Sequence, residues 1–203
     1  MSYLPYIIRQ KKIALRKTQK AIRESLDIDT ELFSQNLVSL FKDNLVLEQK
    51  SIIASYSPIN KEFPIKALED FLIQEGHTLA LPVMIGKRKP LIFREYTKDT
   101  ILLANSIGIP EPHSEAKEVT PSVVLTPLLA FDRNMGRLGY GGGYYDRTIR
   151  LLKEQRGSVL MIGIGYAMQE VDSVPIGRFD NFMDAVITEK NVLKSHSLRE
   201  REY

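Results

Sequence analysis

The stretch that decides the fold and the site is residues 131–147, FDRNMGRLGYGGGYYDR. Its glycines crowd into eight positions: Gly136, Gly139, Gly141, Gly142 and Gly143. Glycine has no Cβ, so its backbone can adopt positive φ and approach a bound group closely. Successive N–H groups in such a loop form a concave anion site, and a helix beginning near Tyr144 would add the partial positive charge of its first amides. The stretch predicts a phosphate-binding loop, with a tight turn that binds nothing as the alternative.

The side chains around the glycines favour the phosphate-binding interpretation. Arg137 and Arg147 flank the run, and Asp146 offers a carboxylate to a hard cation such as magnesium. Two standard phosphate loops are excluded. No Lys-Ser or Lys-Thr follows the glycines, and the dinucleotide pattern counted from Gly139 would need glycine where Tyr144 stands. Glycines, arginines and one acid together indicate a magnesium-bound polyphosphate.

Composition places the chain among ordinary globular proteins. It has 203 residues, of which 43% are hydrophobic and 26% charged, and its net charge is +3. The absence of cysteine excludes disulfides, thiolate metal sites and a cysteine nucleophile. The apolar runs are too short to span a bilayer, and the charged N-terminus has no signal-peptide core, which predicts a cytoplasmic protein without a membrane partner. The polar tail, about residues 194–203, is predicted to be partly disordered.

Residues 8–26 are predicted to form a helix with a continuous basic face. Leu15, Ile22 and Leu26 share one face, and another face carries the cations Arg9, Lys12, Arg16, Lys20 and Arg23. Three interpretations stay open. The face is solvated, it contacts nucleic acid, or Lys12 and Arg16, one turn apart, reach the phosphates of a nucleotide.

The rest of the chain alternates between strand and helix patterns. A second helix begins at Asp27 or Asp29 and ends near residue 47, and a third covers residues 64–74. A fourth helix covers residues 144–153, and strands are predicted at residues 51–57, 78–84, 91–96, 122–127, 158–166 and 185–188. Residues 98–121 form a long connection. The near-continuous apolarity of residues 158–166 indicates a central parallel strand. The fold class is α/β: a single domain, residues 1–203, with a mostly parallel open sheet, helices on both faces and a basic N-terminal helix.

The glycine-rich stretch also carries a family resemblance. RLGYGGGYYDR, preceded by an apolar run and Phe131-Asp132, resembles the signature of the 5-formyltetrahydrofolate cyclo-ligases, also called methenyltetrahydrofolate synthetases. The resemblance covers nearly the whole chain, and its further segments occur in the expected order: Lys12 and Arg16, Glu62 after a strand, Ile109 to Pro112, and Asp180 and Asp184 before the last strand.

The resemblance implies an enzyme, an ATP-dependent carbon–nitrogen ligase. Its reaction converts 5-formyltetrahydrofolate to 5,10-methenyltetrahydrofolate while ATP becomes ADP and phosphate. The implied catalytic residues are Arg137, Tyr144 and Lys12. The implied ATP-binding residues are Lys12, Arg16, Arg137, Leu138, Gly139, Tyr140, Gly141, Gly142, Gly143, Tyr144 and Tyr145. Folate would meet Tyr56, Glu62 and Tyr144, and Mg²⁺ would be held by Asp146 and Asp180, with Asp184 undecided.

Purely structural roles are an alternative to ligand binding for several of these residues. Tyr56 is equally typical of a half-buried strand aromatic, and Glu62 of an acid at a helix N-terminus. Ile107 and Gly108 occupy the region from which an aromatic residue stacks on the folate in some family members.

Three functions follow from the sequence. The first is the cyclo-ligase, with ATP and a folate as its only partners, no nucleic acid, and a monomer or weak dimer as its state. The second is a non-catalytic nucleotide- or RNA-binding protein that uses the basic first helix. The third is a different phosphotransferase on a similar scaffold.

Overall fold

The computed structural model describes residues 3–27 and 29–200. Its helices are α1 Tyr3–Glu24, α2 Thr30–Asn44, α3 Lys66–Gln74, α4 Tyr144–Arg156 and α5 His196–Glu200, with a 3₁₀ turn at Ala167–Gln169. Its strands are β1 Ile52–Ala54, β2 Thr78–Met84, β3 Leu91–Glu95, β4 Leu102–Ala104, β5 Pro110–Pro112, β6 Glu118–Val119, β7 Val123–Pro127, β8 Ala130–Phe131, β9 Arg137–Leu138, β10 Leu160–Ile164, β11 Ala185–Ile187 and β12 Val192–Lys194.

Eight strands form the central sheet, in the order β12-β11-β10-β7-β1-β2-β3-β6. The inner strands are parallel: β1 pairs with β2 and β7, and β10 pairs with β7 and β11. Antiparallel strands complete both edges, namely β3 and β6 on one side and β12 on the other. The predicted α/β class is confirmed, and so is the central parallel position of β10.

Side chains that alternate along the inner strands build one apolar core on each face of the sheet. In β7, Val123 and Leu125 pack towards α2 and α3, whereas Val124 packs towards α4. The same alternation in β1 sends Ile53 to the first core and Ala54 to the second. Helices therefore cover both faces, as predicted, because the strands of an inner parallel sheet are apolar on both sides.

Local capping chemistry decides where α2 begins. Of the two acids predicted as its cap, Asp29 takes the role, since its carboxylate accepts the backbone N–H groups of Glu31 and Leu32, both at 3.1 Å. The helix ends at Asn44, three residues before the predicted end.

The structure corrects the predicted elements in two places. The connection at residues 98–121 is not free of regular structure, because β4 and β5 pair into a hairpin and β6 joins the sheet edge. The C-terminal tail carries the end of β12 and the helix α5, so residues 194–200 have regular structure almost throughout. The last part of the predicted disordered tail, residues 201–203, lies outside the described residues.

Helix α1 is held to the domain mainly through polar side chains. Its predicted apolar residues, Leu15 and Ile22, are only partly buried, and so is Leu26 just beyond it. Among its described side chains, Gln19 and Arg23 are buried. Leu15 packs against a small cluster of Ala130, Leu138 and Val174. Because the apolar stripe by which helices usually dock is incomplete here, hydrogen bonds and ion pairs contribute much of the docking of α1. Within the described residues, no helix has the length and apolarity needed to cross a bilayer.

Replacement of Leu125 by alanine tests the central position of β7. Leu125 is fully buried, with strands on both sides of it. We expect Leu125→Ala to lower the free energy of unfolding by about 2–5 kcal/mol in urea denaturation, through lost burial and the cavity left behind. Leu103→Ala is the control, because Leu103 is 53% exposed and its loss should cost about 0.5 kcal/mol or less. Equal effects of the two changes would contradict the assigned core.

Candidate active site

One large cavity lies between α1, the glycine-rich stretch, the β4–β5 hairpin and the ends of the inner strands. It encloses about 1090 Å³, which exceeds the usual volume of a site for one small molecule. Every site residue predicted from the sequence lines it: Lys12, Arg16, Tyr56, Glu62, Arg137, Leu138, Gly139, Tyr140, Gly141, Gly142, Gly143, Tyr144, Tyr145, Asp146 and Asp180. The fold therefore brings together residues that lie up to 168 positions apart in the chain.

The glycine-rich stretch leads directly into the N-terminus of α4. Gly143 precedes the helix with φ of +64°, a left-handed conformation that glycine adopts without strain. No side chain caps the first amides of α4, so the helix presents N–H groups and the positive end of its dipole to the cavity. A Cβ on Gly142 would lie 2.7 Å from the Tyr144 ring. Glycine is thus needed here for shape as well as for conformation.

Arginine side chains surround this loop and donate hydrogen bonds to its carbonyl oxygens. The Nε atom of Arg16 donates to Gly139 O at 2.8 Å, and Nη2 of Arg147 donates to Gly142 O at 2.6 Å. Arg137 is almost fully buried, and its guanidinium donates to Pro127 O at 3.3 Å. The loop therefore sits in a field of positive charge, which suits a polyanionic ligand.

Asp146 and Asp180 lie beside this loop, and each already has a cationic partner. Arg137 Nη2 is 3.4 Å from an Asp146 oxygen, and Lys12 forms an ion pair with Asp180. The other Asp146 oxygen accepts the backbone N–H of Asn181 at 3.1 Å, which ties the two acidic segments together. Asp184, left undecided above, accepts the N–H of Met161 at 2.8 Å and does not line the cavity.

The acids fit Mg²⁺ as a partner of phosphate but do not form a complete protein cage. Among the described residues, no group of three or more histidine, aspartate or glutamate side chains is placed to hold a metal. Mg²⁺ is commonly held by one or two carboxylates together with substrate phosphates and water. Asp146 and Asp180 meet that requirement next to the glycine-rich loop.

The other acid of the stretch, Asp132, has a structural role. Its carboxylate accepts the backbone N–H groups of Asn134 and Gly136, each at 2.9 Å, and of Val174 at 2.7 Å. It is 2% exposed. These bonds fix the turn between β8 and β9 that delivers Arg137 to the cavity.

Glu62 and several tyrosines also line the cavity. Glu62 is buried, and one oxygen accepts the backbone N–H of Ile59 at 3.0 Å. Burial raises the pKa of Glu62 to about 7, although the Ile59 hydrogen bond, the charge of Arg23 and hydrogen bonding by Tyr140 all favour the carboxylate. Burial also raises the pKa of Tyr145, with the nearby charge of Glu62 acting in the same direction. Glu62 is thus poised between its neutral and ionised forms near neutral pH.

Tyr56 is held beneath this group rather than free to move. It is 3% exposed, and its hydroxyl donates to Phe63 O at 3.0 Å. It lines the cavity, and its hydroxyl is hydrogen-bonded to the loop after β1. The half-buried strand position predicted for Tyr56 is wrong, because β1 ends at Ala54 and the side chain is almost fully buried. Its predicted contact with folate stays a prediction.

Apolar side chains that sequence reasoning missed line the remaining wall and the mouth. They come from α1, β2, β3, the hairpin and the loop before Asp180: Leu4, Ile8, Ile13, Met84, Leu91, Ile109 and Phe179. Ile107 lines the mouth as well and is 65% exposed, and Phe179 is 63% exposed. No sequence period marks these residues, because five separate segments supply them.

Comparison with known proteins identifies the family. The profile of the 5-formyltetrahydrofolate cyclo-ligase family matches residues 8–189. The 5-formyltetrahydrofolate cyclo-ligase of Haemophilus influenzae is 33% identical over 177 residues, which cover 84% of this chain and 94% of that protein. The chain belongs to the 5-formyltetrahydrofolate cyclo-ligase family. The resemblance carried by residues 131–147 is confirmed, and with it the prediction of a ligase.

Solved structures of family members share the fold. The NMR structure of the Aquifex aeolicus 5,10-methenyltetrahydrofolate synthetase superposes with a TM-score of 0.75 at 29% identity, over 91% of this chain and 93% of that one. A 5,10-methenyltetrahydrofolate synthetase from Mycoplasma pneumoniae gives a TM-score of 0.69 at 25% identity, over 88% of this chain and 99% of that one. The cyclo-ligase fold therefore accounts for nearly the whole chain.

The buried state of Glu62 makes a prediction about stability and pH. Its pKa in the folded protein, about 7, lies above its ordinary value of 4.5. Well below pH 4.5 the group is neutral in both states. Between pH 4.5 and 7 the unfolded state ionises while the folded state stays protonated, so the free energy of unfolding falls across that window and levels off above pH 7. We expect Glu62→Gln to match the native protein at pH 4.5 and to be more stable at pH 8, by roughly 3 kcal/mol.

Urea denaturation at the two pH values measures this difference. Glu118→Gln is the control, because Glu118 is exposed and its replacement should change stability equally at both pH values. A stability difference for Glu62→Gln that does not depend on pH would show that Glu62 is ionised at its ordinary pKa.

Proposed function

We propose that this chain catalyses the ATP-dependent cyclisation of 5-formyltetrahydrofolate to 5,10-methenyltetrahydrofolate, with release of ADP and phosphate. The observation that supports this best is that two chemically different groups of residues line one cavity. We assign the glycine-rich loop, the cations and the two acids to a charged end, which suits a nucleotide triphosphate. We assign the apolar wall, the tyrosines and Glu62 to a folate end, which suits a flat heterocycle that carries N–H donors.

The charged end suits phosphoryl transfer, which depends mainly on positioning and on stabilisation of charge. The amides of Gly139 to Gly143 and the start of α4 would bind phosphate oxygens. Lys12, Arg16 and Arg137 would balance the charge of the γ-phosphoryl group as it moves. Asp146 and Asp180 would hold Mg²⁺, which supplies positive charge to the phosphates when bound.

The reaction needs a phosphoryl acceptor rather than a protein nucleophile. The formyl oxygen of the substrate is an amide oxygen and a poor leaving group. Attack of this oxygen on the γ-phosphorus breaks the bond to ADP and gives an iminium phosphate. N10 then adds to the activated carbon and loses its proton, and phosphate leaves with the former formyl oxygen and takes up that proton. Tyr144 lies directly after the glycines, where the two ends of the cavity meet, and would contact the formyl group.

The exposed apolar side chains at the mouth support a ring-bearing second substrate. Ile107 and Phe179 are each more than 60% exposed, and both line the cavity. A folate bound at Glu62 would cover them with its rings. Phe179 would provide the aromatic contact that Ile107 and Gly108 do not.

The RNA-binding alternative is less well supported, because three of the five cations on the predicted basic face of α1 contact the protein, whereas Arg9 and Lys20 are exposed. Lys12 pairs with Asp180, Arg16 bonds the glycine-rich loop, and Arg23 is buried. Cations used in this way are not available to a polynucleotide. We propose that ATP and folate are the partners, that nucleic acid is not, and that the enzyme works in the cytoplasm as a monomer or weak dimer.

A direct assay tests the proposed function. The purified protein is mixed with ATP, Mg²⁺ and 5-formyltetrahydrofolate, and the absorbance band of the methenyl product is followed. We expect a rise that requires all three components. A flat trace from folded protein that binds ATP would refute the proposal and favour another phosphotransferase.

Lys12 offers a sharper test of the charged end. We expect Lys12→Met to reduce kcat at least a hundredfold, because it removes a preorganised cation from the transferring phosphoryl group. Lys11→Met is the matched control, since Lys11 is the exposed neighbour on the same helix and does not line the cavity. Equal activity of the two variants in the absorbance assay would show that Lys12 is not a catalytic residue.

A further inference from the structure

A buried arginine lies directly behind the cavity wall. Arg23, on the last turn of α1, is 2% exposed, which is rare for a guanidinium. It does not line the cavity. Its Nη2 atom donates to the hydroxyl of Tyr140, which does line the cavity. Arg23 therefore reaches the site through another side chain.

The charge of Arg23 is incompletely compensated by direct contacts. Its Nη1 atom is buried and has no hydrogen-bond partner among the described residues. The ion pairs of the described residues do not include it, in contrast to Lys12 and Arg137. Burial of a cation costs free energy unless an anion or hydrogen bonds offset it. The anion that acts on this group across Tyr140 is Glu62.

Three side chains from three segments thus form a relay. Arg23 comes from α1, Tyr140 from the glycine-rich stretch and Glu62 from the loop after β1. Lys61 fixes the two outer segments to each other, because its ammonium donates to Glu24 O at 2.8 Å and Leu26 O at 3.1 Å. The relay joins the end of α1 to the folate end of the cavity.

We propose that Arg23 is a positioning residue for folate binding, which holds the Tyr140 hydroxyl against Glu62 and thereby keeps a hydrogen-bond-accepting carboxylate on the cavity wall. The inference rests on the proposed function, since the carboxylate would receive the N–H donors of the folate ring. It assigns to α1 a second role in addition to the contacts of Lys12 and Arg16 with the charged end.

The groups that face Glu62 determine how the relay responds to pH. They are Arg23 on α1, Tyr140 in the glycine-rich stretch, Tyr145 on α4 and Tyr56 after β1. Of these four, only Arg23 carries a charge near neutral pH. Burial raises the pKa of Glu62, and the charge of Arg23 lowers it by stabilising the carboxylate. If that charge is removed, the pKa should rise further above its value of about 7.

Enzyme kinetics of Arg23→Met give the first test. We expect the KM for 5-formyltetrahydrofolate to rise by about tenfold or more, the effect of one lost charge-assisted interaction, with a smaller change in kcat. The acidic limb of the kcat/KM profile should move to higher pH, because more of Glu62 is protonated. Arg23→Lys, which retains a cation able to donate to Tyr140, should restore most of the affinity.

The control and the coupling test use neighbouring residues. Lys17 lies on the exposed side of the same helix and does not line the cavity. Lys17→Met removes one positive charge and should leave the KM and the pH profile unchanged. In a Tyr140→Phe background, Arg23→Met should raise the KM less than it does in the native protein, because the hydrogen bond to the hydroxyl is already lost and only the charge remains to be removed.

An NMR titration separates this inference from the proposed function. Protein labelled with ¹³C at glutamate carboxyl carbons reports the pKa of Glu62 without turnover, and Glu62→Gln assigns the signal. We expect a higher pKa in Arg23→Met and an unchanged one in Lys17→Met. The proposal is overturned if the two variants agree, or if the pKa rises while the KM for folate stays constant. A native protein without turnover would refute the proposed function, and the titration would still decide whether Arg23 acts on Glu62.

Discussion

The site depends on how α1 is docked against the glycine-rich loop. None of the apolar side chains described for residues 4–24 of this helix is fully buried, and polar contacts along one face help to hold it in place: Lys12 with Asp180, Arg16 with Gly139 O, and Arg23 with Tyr140. These contacts recur at intervals of four and seven residues, so they follow a single stripe of the helix. Without them the cavity would lose one entire wall and most of its positive charge.

The sheet provides the rigid partner for this helix. The inner parallel strands are buried on both faces, and their ends open into the cavity, where ligands of open α/β sheets usually bind. Asp132 then fixes the turn that carries Arg137 inwards, and Gly143 allows the chain to begin α4 with its amides facing the ligand. Rigid core, fixed turn and polar-docked helix together form the cavity in which we propose that ATP and a folate bind.

The sequence predicted the sheet and the central group of site residues because both leave local signals. Apolar runs marked β7 and β10, Asp27 and Asp29 marked the start of α2, and the glycines marked a loop that lines the cavity. The connection at residues 98–121 was misjudged because β4 to β6 have two or three residues each and are mostly exposed. The burial of Arg23 was missed because a buried cationic face has the same helical spacing as a solvated one. The contact that buries Arg23 is with Tyr140, 117 positions away, and helical spacing does not reveal it.

The central claim is that the cavity joins a phosphoryl donor to the formyl oxygen of a folate. Turnover of 5-formyltetrahydrofolate labelled with ¹⁸O in the formyl group tests it most directly, with mass analysis of the released phosphate. The account predicts that the label appears in inorganic phosphate, one oxygen per product formed. Methenyl product formed with unlabelled phosphate would contradict it, because the formyl oxygen would then have left without accepting the phosphoryl group.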